Sequence, residues 1–169
     1  RYHMPEEEIG SAAKKIALSD ISTVVLQSGE NRMPADRICT LITRIKQETG
    51  LFVTLSLGER SDEDYRRFKA AGADRYLLKH ETCSRALFAR LRPGSSYDNR
   101  RRCLECLRDL GFETGAGNMI GLPGQQMADL AADLLYLKTL QPDMIGIGPF
   151  IPHPETPLAD CPPGSSELT

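Results

Sequence analysis

The chain lacks any apolar run approaching the roughly 18 residues that cross a bilayer as a helix. Its opening stretch, Arg1-Tyr2-His3-Met4-Pro5 followed by three glutamates, holds no apolar segment of the secretory kind. It also lacks an excess of either charge: 21 Lys and Arg face 23 Asp and Glu, a formal net charge of −2. That balance argues against an electrostatic nucleic-acid surface, which needs a basic footprint. The short block Arg100-Arg101-Arg102 reads as a solvated helix face. Paired cysteines are missing too, since five irregularly spaced residues fit a reducing cytosol rather than a disulfide framework. Cys103-Leu104-Glu105-Cys106 resembles a redox or metal pair. However, Cys103, Cys106, Leu107 and Leu110 fall at i, i+3, i+4 and i+7, the buried stripe of a helix, and no second pair completes a four-ligand site. With 169 residues, the chain supports one domain with a real core but is shorter than the roughly 250 residues of a complete eight-unit barrel.

What is present is an alternation of strands and helices. Apolar runs predict strands over residues 23–27, 52–57, 75–79, 114–120 and 144–148. Helices are expected over residues 5–18, from Pro34 to about Gly50, over 61–72, 84–91, 97–110 and 126–140. The first should bury Ile9, Ala12, Ala13, Ile16 and Ala17, and the second Ile38, Leu41, Ile42 and Ile45. Ser61 and Asp64 form a capping-box pattern ahead of Tyr65, Phe68 and Ala71. The last helix should turn Met127, Leu130, Ala131, Leu134 and Leu137 inward. This order, with mostly apolar strands, reads as an α/β fold: a partial (β/α) TIM-type barrel of about five parallel strands with outer helices.

Each predicted strand ends in a polar, often glycine-containing cluster, and in such a barrel the carboxyl ends of the strands build the active site. Gln27-Ser28-Gly29-Glu30 offers carbonyls and a carboxylate suited to an ammonium group, or a cap for the following loop. Glu81 can bind a ribose diol, and Arg100 can hold a carboxylate in a bidentate fork or serve as a surface helix charge. The stretch from Gly115 to Gln125 is neither G-x-G-x-x-G nor a P-loop. Its glycines permit close backbone approach to a flat ring, or simply serve barrel packing. His80 and His153 stand without ligand-spaced partners, so neither reads as a metal ligand or a base.

Taken together, RYLLKHET, LRPGSSYDNR, GAGNMIGLPGQ and IGIGPFIPHPETPL, with VVLQSGE and TLSLGE before them, resemble the radical S-adenosylmethionine (SAM) superfamily. The nearest branch in appearance is the HydE-type FeFe-hydrogenase maturases, beside biotin synthase and methylornithine synthase. The resemblance runs through the whole chain and implies SAM and a 4Fe–4S cluster as cofactors. It assigns the SAM amino group to Gln27, Ser28, Gly29 and Glu30, the ribose to Glu81 and the carboxylate to Arg100. Adenine is assigned to backbone at Met119, Ile120 and Gly121 and at Gly148, Pro149, Phe150 and Ile151. Thr54, Ser56, Arg75 and Lys79 would face a small-molecule or organometallic substrate. No conventional catalytic acid or base and no metal ligand is assigned.

Two departures stand out. Lys79 occupies a position where arginine is expected, keeping the charge but losing the planar fork. The cluster-binding C-x-x-x-C-x-x-C is absent, so residues 1–169 read as an internal fragment of a single barrel domain, inactive alone. The reading implied is a cytoplasmic enzyme that reductively cleaves SAM to a 5′-deoxyadenosyl radical in H-cluster maturation. Other hydrogenase maturases would be its partners, and neither nucleic acid nor a membrane is expected. The rivals are a biotin synthase-like or methylornithine synthase-like activity, and a non-catalytic carrier of a metal-centre precursor.

Overall fold

The structure, a computed structural model, describes residues 4–28 and 33–169. In chain order the elements are α1 (Glu6–Ala17), β1 (Thr23–Gln27), α2 (Ala35–Thr49), β2 (Phe52–Ser56), α3 (Asp62–Ala70), β3 (Arg75–Leu77), α4 (Arg85–Leu91), α5 (Tyr97–Asp109), β4 (Glu113–Ala116), β5 (Met119–Ile120), α6 (Met127–Leu140), β6 (Met144–Ile145) and β7 (Gly148–Pro149). β1-β2-β3-β4-β6 form one sheet in that order, every pairing parallel. Helices cover one face of this sheet. Among the described residues β1 and β6 each have a single neighbour in it, so the sheet is an open arc of a barrel. No helix among the described residues is long and apolar enough to cross a membrane.

The helices form where capping and apolar spacing agree. α1 carries Glu6, Glu7 and Glu8 in its first turn and Lys14 and Lys15 in its last, each favourable to the helix dipole. α2 buries Ile38, Leu41, Ile42 and Ile45, as their spacing requires, and ends on Gly50 at φ 70°. Burying each such side chain is worth about 1.5–3 kcal/mol, so helix–sheet contact rather than propensity holds α2 in place. In α3 the Ser61 hydroxyl accepts the Asp64 N–H at 3.1 Å, and Tyr65 and Phe68 turn inward. α5 buries Cys103, Leu104 and Leu107, with Cys106 half-buried beside them, so these cysteines belong to the core.

Strand residues Val24, Val53, Leu55 and Tyr76, with Leu57 and Leu78 just past the ends of β2 and β3, point into the same core. Its centre is aromatic: Tyr65 meets Tyr76 edge-on at 5.1 Å between ring centroids, and Tyr76 meets Phe112 at 5.9 Å. Carboxylates tie the amino-terminal ends of the strands. Asp74 accepts the Val53 N–H at 2.7 Å and an ion pair from Lys46 at 3.0 Å, while Asp143 accepts the Thr114 N–H at 2.7 Å.

Several expectations need correction. Ala17, expected inside, is exposed. The strands expected over residues 114–120 and 144–148 are broken, the first into β4 and β5, the second into β6 and β7. Gly117 crosses so close to Gly146 that a Cβ there would lie 1.9 Å from the Gly146 carbonyl oxygen. Past that crossing the chain leaves the main sheet, and β5 pairs instead with β7, Met119 opposite Gly148 and Ile120 opposite Pro149. The expected inner face of α6 holds only at Leu137. Met127 and Leu134 are 67% and 58% exposed, and the buried stripe is Asp133, Tyr136, Leu137 and Leu140. α6 is apolar nearly all round, so periodicity could not choose a face, and a carboxylate lies on the one that turns inward.

Residues 151–169 fold back over the small ladder. The Gly164 N–H donates to the Phe150 carbonyl at 2.7 Å, and Leu158 and Cys161 join Leu87, Leu122 and Phe150 in a second apolar cluster.

The crossing at Gly117 yields a stability test. Gly117→Ala is expected to cost several kcal/mol, because rigid backbone must move to admit the methyl group. Gly111→Ala, at φ 74° with nothing near its would-be Cβ, should cost only the left-handed penalty of about 1–2 kcal/mol. Chemical denaturation of the two variants measures the difference.

Candidate functional site

The parallel sheet delivers the tails of its strands to one end, and those of β2 and β3 are fastened from behind by buried side chains. The tail of β1 begins at the exposed Gln27. The Ser28 N–H that follows donates to the Ser56 carbonyl at 3.3 Å, joining it to the end of β2. Gly29 and Glu30 lie outside the described residues. The tail of β2 turns at Gly58, φ 72°, and both core tyrosines hold it: the Tyr76 hydroxyl donates to the Gly58 carbonyl at 2.9 Å, and the Tyr65 hydroxyl accepts the Arg60 N–H at 2.9 Å. Burial pushes both phenols above their ordinary range, so they remain neutral in these roles.

Between those two pins stands Glu59, whose carboxylate pairs with the Arg100 guanidinium at 2.7 Å and also accepts from the Asn99 amide. Arg100 is far from the surface charge that its helix position allowed. Its side chain is 4% exposed, and Nη1 also approaches the Lys79 carbonyl at 3.4 Å. A ligand carboxylate would therefore have to share the guanidinium with Glu59. Arg100 thus links the tails of β2 and β3.

Glu81, at the tail of β3, has φ 72°, a left-handed backbone that a residue with a Cβ adopts only when its surroundings impose it. Its N–H donates to the Gly117 carbonyl at 3.1 Å, it bridges to Asn118, and its carboxylate meets Arg92 at 3.2 Å. Beside it runs the β5–β7 ladder, so Met119, Ile120, Gly148 and Pro149 are brought together as expected. The Phe150 N–H donates to the Ile120 carbonyl at 2.8 Å, and Ile151 is 76% exposed. The turn at Gly121 is locked by Gln125, whose amide oxygen accepts the Gly121 and Leu122 N–H groups at 2.7 and 3.2 Å while its nitrogen donates to the Met119 carbonyl at 2.9 Å.

The four residues expected to face substrate lie on the sheet face turned from the helices, at different depths. Thr54 is buried and Ser56 half-buried. Lys79 lies close to Gly146. Arg75 is at the amino-terminal end of β3, where it ion-pairs with Glu113, donates to the Thr23 hydroxyl at 2.9 Å and covers the Phe52 ring at 5.1 Å. It belongs to the floor of the arc, opposite the tails.

Sequence reasoning assigned no role to Glu59, Arg92, Asn118 or Asp133. Glu59 carried a signal, since it ends a strand tail as Glu81 does. Asp133 carried none, being one acid in a leucine-rich helix. It is fully buried: one oxygen accepts the Cys83 N–H, the other accepts the Asn118 amide at 3.1 Å, and His80 Nε2 lies 3.5 Å away. His80, Cys83 and Asp133 place one ligand-type atom each within 4.8 Å of one another. Both carboxylate oxygens already accept N–H donors, and burial next to Asp133 pushes the Cys83 thiol up to about 12. Asp133 thus anchors the Cys83 backbone and the Asn118 amide, while neither His80 ring nitrogen makes a hydrogen bond among the described residues.

The tails fit a nucleoside-bearing cofactor such as SAM. An acidic group, partly exposed and held by Arg92, stands beside the β5–β7 ladder, and the space over Gly148 is open. A 4Fe–4S cluster does not fit these residues. Such a cluster needs a set of neighbouring thiolates, whereas His80–Cys83–Asp133, with its single cysteine, is the only close ligand group among the described residues.

The Cys83 environment has a consequence for alkaline stability. Folding holds the thiol neutral up to about 12, whereas in the unfolded chain it ionises near 9.0. Between those values the folded state keeps a proton the unfolded state has lost, so stability falls as pH rises through the window. Tyr136, raised by burial to about 12 from 10.0, acts in the same direction. Denaturant titrations at pH 8, 9 and 10 should show this decline, and Cys83→Ala should flatten it.

Comparison with known proteins gives the arrangement its family. The model of the "Radical SAM superfamily" matches residues 1–137. The chain is 53% identical over 171 aligned positions to the "[FeFe] hydrogenase maturase subunit HydE" of Thermotoga maritima, covering all of this chain and 49% of that protein. It is 30% identical to a biotin synthase of Nitrosopumilus maritimus, over 91% of this chain and 47% of that one. Among solved structures, methylornithine synthase (PylB) superposes with a TM-score of 0.88 at 27% identity, over 95% of this chain and 48% of that one. HydG, a maturase of the [FeFe]-hydrogenase, superposes at 0.83 and 19% identity, over 99% and 41%, a likeness of fold alone. The chain spans about half the length of the curated relatives it matches. The arc of parallel strands, the tails and the family match agree: this chain belongs to the radical SAM superfamily, whose members use SAM and a 4Fe–4S cluster.

Proposed function

We propose that this chain is the SAM-holding portion of a HydE-like radical SAM enzyme acting in FeFe-hydrogenase H-cluster maturation, a longer protein whose cluster cysteines lie upstream of these residues. The observation that carries the reading is Glu81, an acidic side chain fixed in a left-handed backbone beside the β5–β7 ladder. A strained non-glycine residue at a strand end marks a position kept for its side chain. The 53% identity to HydE, against 26–30% to the biotin and methylornithine synthases, favours the maturase over those rivals.

In this reading Glu81 accepts both ribose hydroxyls, while Arg92 holds its carboxylate in place. Gln27 and Ser28, with Gly29 and Glu30, take the amino group. Arg100 meets the SAM carboxylate beside Glu59, which orients the guanidinium. Backbone at Met119, Ile120 and Gly121 and from Gly148 to Ile151 takes the adenine edge. Bound SAM supplies radical chemistry through reductive cleavage of its C5′–S bond. These residues orient it and exclude water, and none of them moves a proton. Thr54, Ser56 and Lys79 face a small-molecule or organometallic substrate inside the arc. The protein works in the cytoplasm alongside other hydrogenase maturases.

Reconstitution of the full-length protein with iron and sulfide tests this directly. Under dithionite it should convert SAM to 5′-deoxyadenosine, whereas residues 1–169 alone should form none. Glu81→Gln should weaken SAM binding about tenfold or more, the loss of a charged hydrogen-bond acceptor. A reconstituted protein that binds SAM without cleaving it would favour the carrier reading instead.

A further inference from the structure

We infer that Asp133, a residue of α6 buried behind the tail of β3, is the positioning residue for Glu81. The inference rests on Glu81 as the ribose ligand.

Glu81 is held between two segments of chain. Before and after it runs the turn of Lys79, His80, Thr82 and Cys83. Across from it runs the link between β4 and β5, through the Glu81 N–H to Gly117 and the bridge to Asn118. Neither segment belongs to the regular main sheet at this point, and a single parallel bridge pairs them to each other. One carboxylate grips both. An Asp133 oxygen accepts the backbone N–H of Cys83, two residues past Glu81. Its other oxygen accepts the side-chain amide of Asn118, the residue bridged to Glu81, at 3.1 Å. His80, directly before Glu81, is 3% exposed, with Nε2 3.5 Å from the same carboxylate and its ring edge-on to Tyr136 at 5.1 Å.

The chemistry suits this work. A left-handed glutamate relaxes toward ordinary backbone unless its neighbours are pinned on both sides. Charge-assisted hydrogen bonds from a fully buried carboxylate are the strong kind, and water does not compete for them. Asp133 and Asn118 are 0% and 1% exposed, so a purely solvating role is excluded. A rigid helix thereby sets the position of an acid on a loop, the arrangement that precise ligand recognition requires.

The test compares SAM with its 2′,3′-dideoxy analogue, which lacks the ribose hydroxyls, by calorimetric binding to the full-length, cluster-loaded protein. The parent should prefer SAM by about tenfold or more. Asp133→Asn should weaken SAM by a similar factor while leaving the analogue unchanged, and Asn118→Ala, which leaves α6 intact, should give the same pattern if Asp133→Asn does not fold. In a Glu81→Gln background, Asp133→Asn should add less than about twofold. Equal weakening of SAM and analogue, or an undiminished effect in the Glu81→Gln background, would overturn the positioning role. A parent protein that binds both compounds equally would instead overturn Glu81 as the ribose ligand, and the inference with it.

Discussion

A strand that leaves a sheet leaves its backbone partners behind, and at the carboxyl end of this arc that constraint shapes everything that follows. Buried N–H and C=O groups must find other partners. Here these come from side chains rooted elsewhere in the core: Tyr76 for the Gly58 carbonyl, Tyr65 for the Arg60 N–H and Asp133 for the Cys83 N–H. The polar side chains offered to a ligand therefore stand on loops that behave as extensions of the core. Arg100 joins two of these tails through Glu59 and the Lys79 carbonyl, so its burial is part of the scaffold as well as of the site.

The two ends of the strands are handled differently. At the amino-terminal end, Asp74 and Asp143 cap strand N–H groups, and Arg75 and Glu113 close the floor with an ion pair. These contacts serve stability. At the other end the anchors hold loops in unusual conformations, and the acids beside them, Glu59 and Glu81, are engaged by Arg100 and Arg92. Such a division is general in barrels, where one face carries function and the other holds the architecture. The family match and the superposition on methylornithine synthase place this chain within that scheme.

Much of this was legible in the sequence. Helix boundaries followed capping residues and terminal glycines closely, as at Ser61 and Gly50, because those signals are local. Four of the main strands were evident as apolar runs. The gathering of Glu81, Arg100, Met119 and Gly148 at one end followed from parallel topology once strand tails were aligned. Three features escaped for physical reasons. The break between β4 and β5 arises from contact of Gly117 with Gly146, a pairing distant in sequence. The face of α6 could not be read from a helix apolar nearly all round. The engagement of Arg100 with Glu59 depends on a loop path fixed by tyrosine hydroxyls, and no spacing rule encodes it.

Position 81 sets two demands against each other. The backbone there favours glycine, which would adopt the left-handed conformation without strain. The ligand, on the present reading, requires a carboxylate. A selection for thermal stability alone would thus drift toward glycine at this site, and toward asparagine as a compromise, while a selection for function would hold glutamate and tolerate the cost. If Glu81 holds the ribose as proposed, its left-handed backbone is strain that glycine would relieve and function retains.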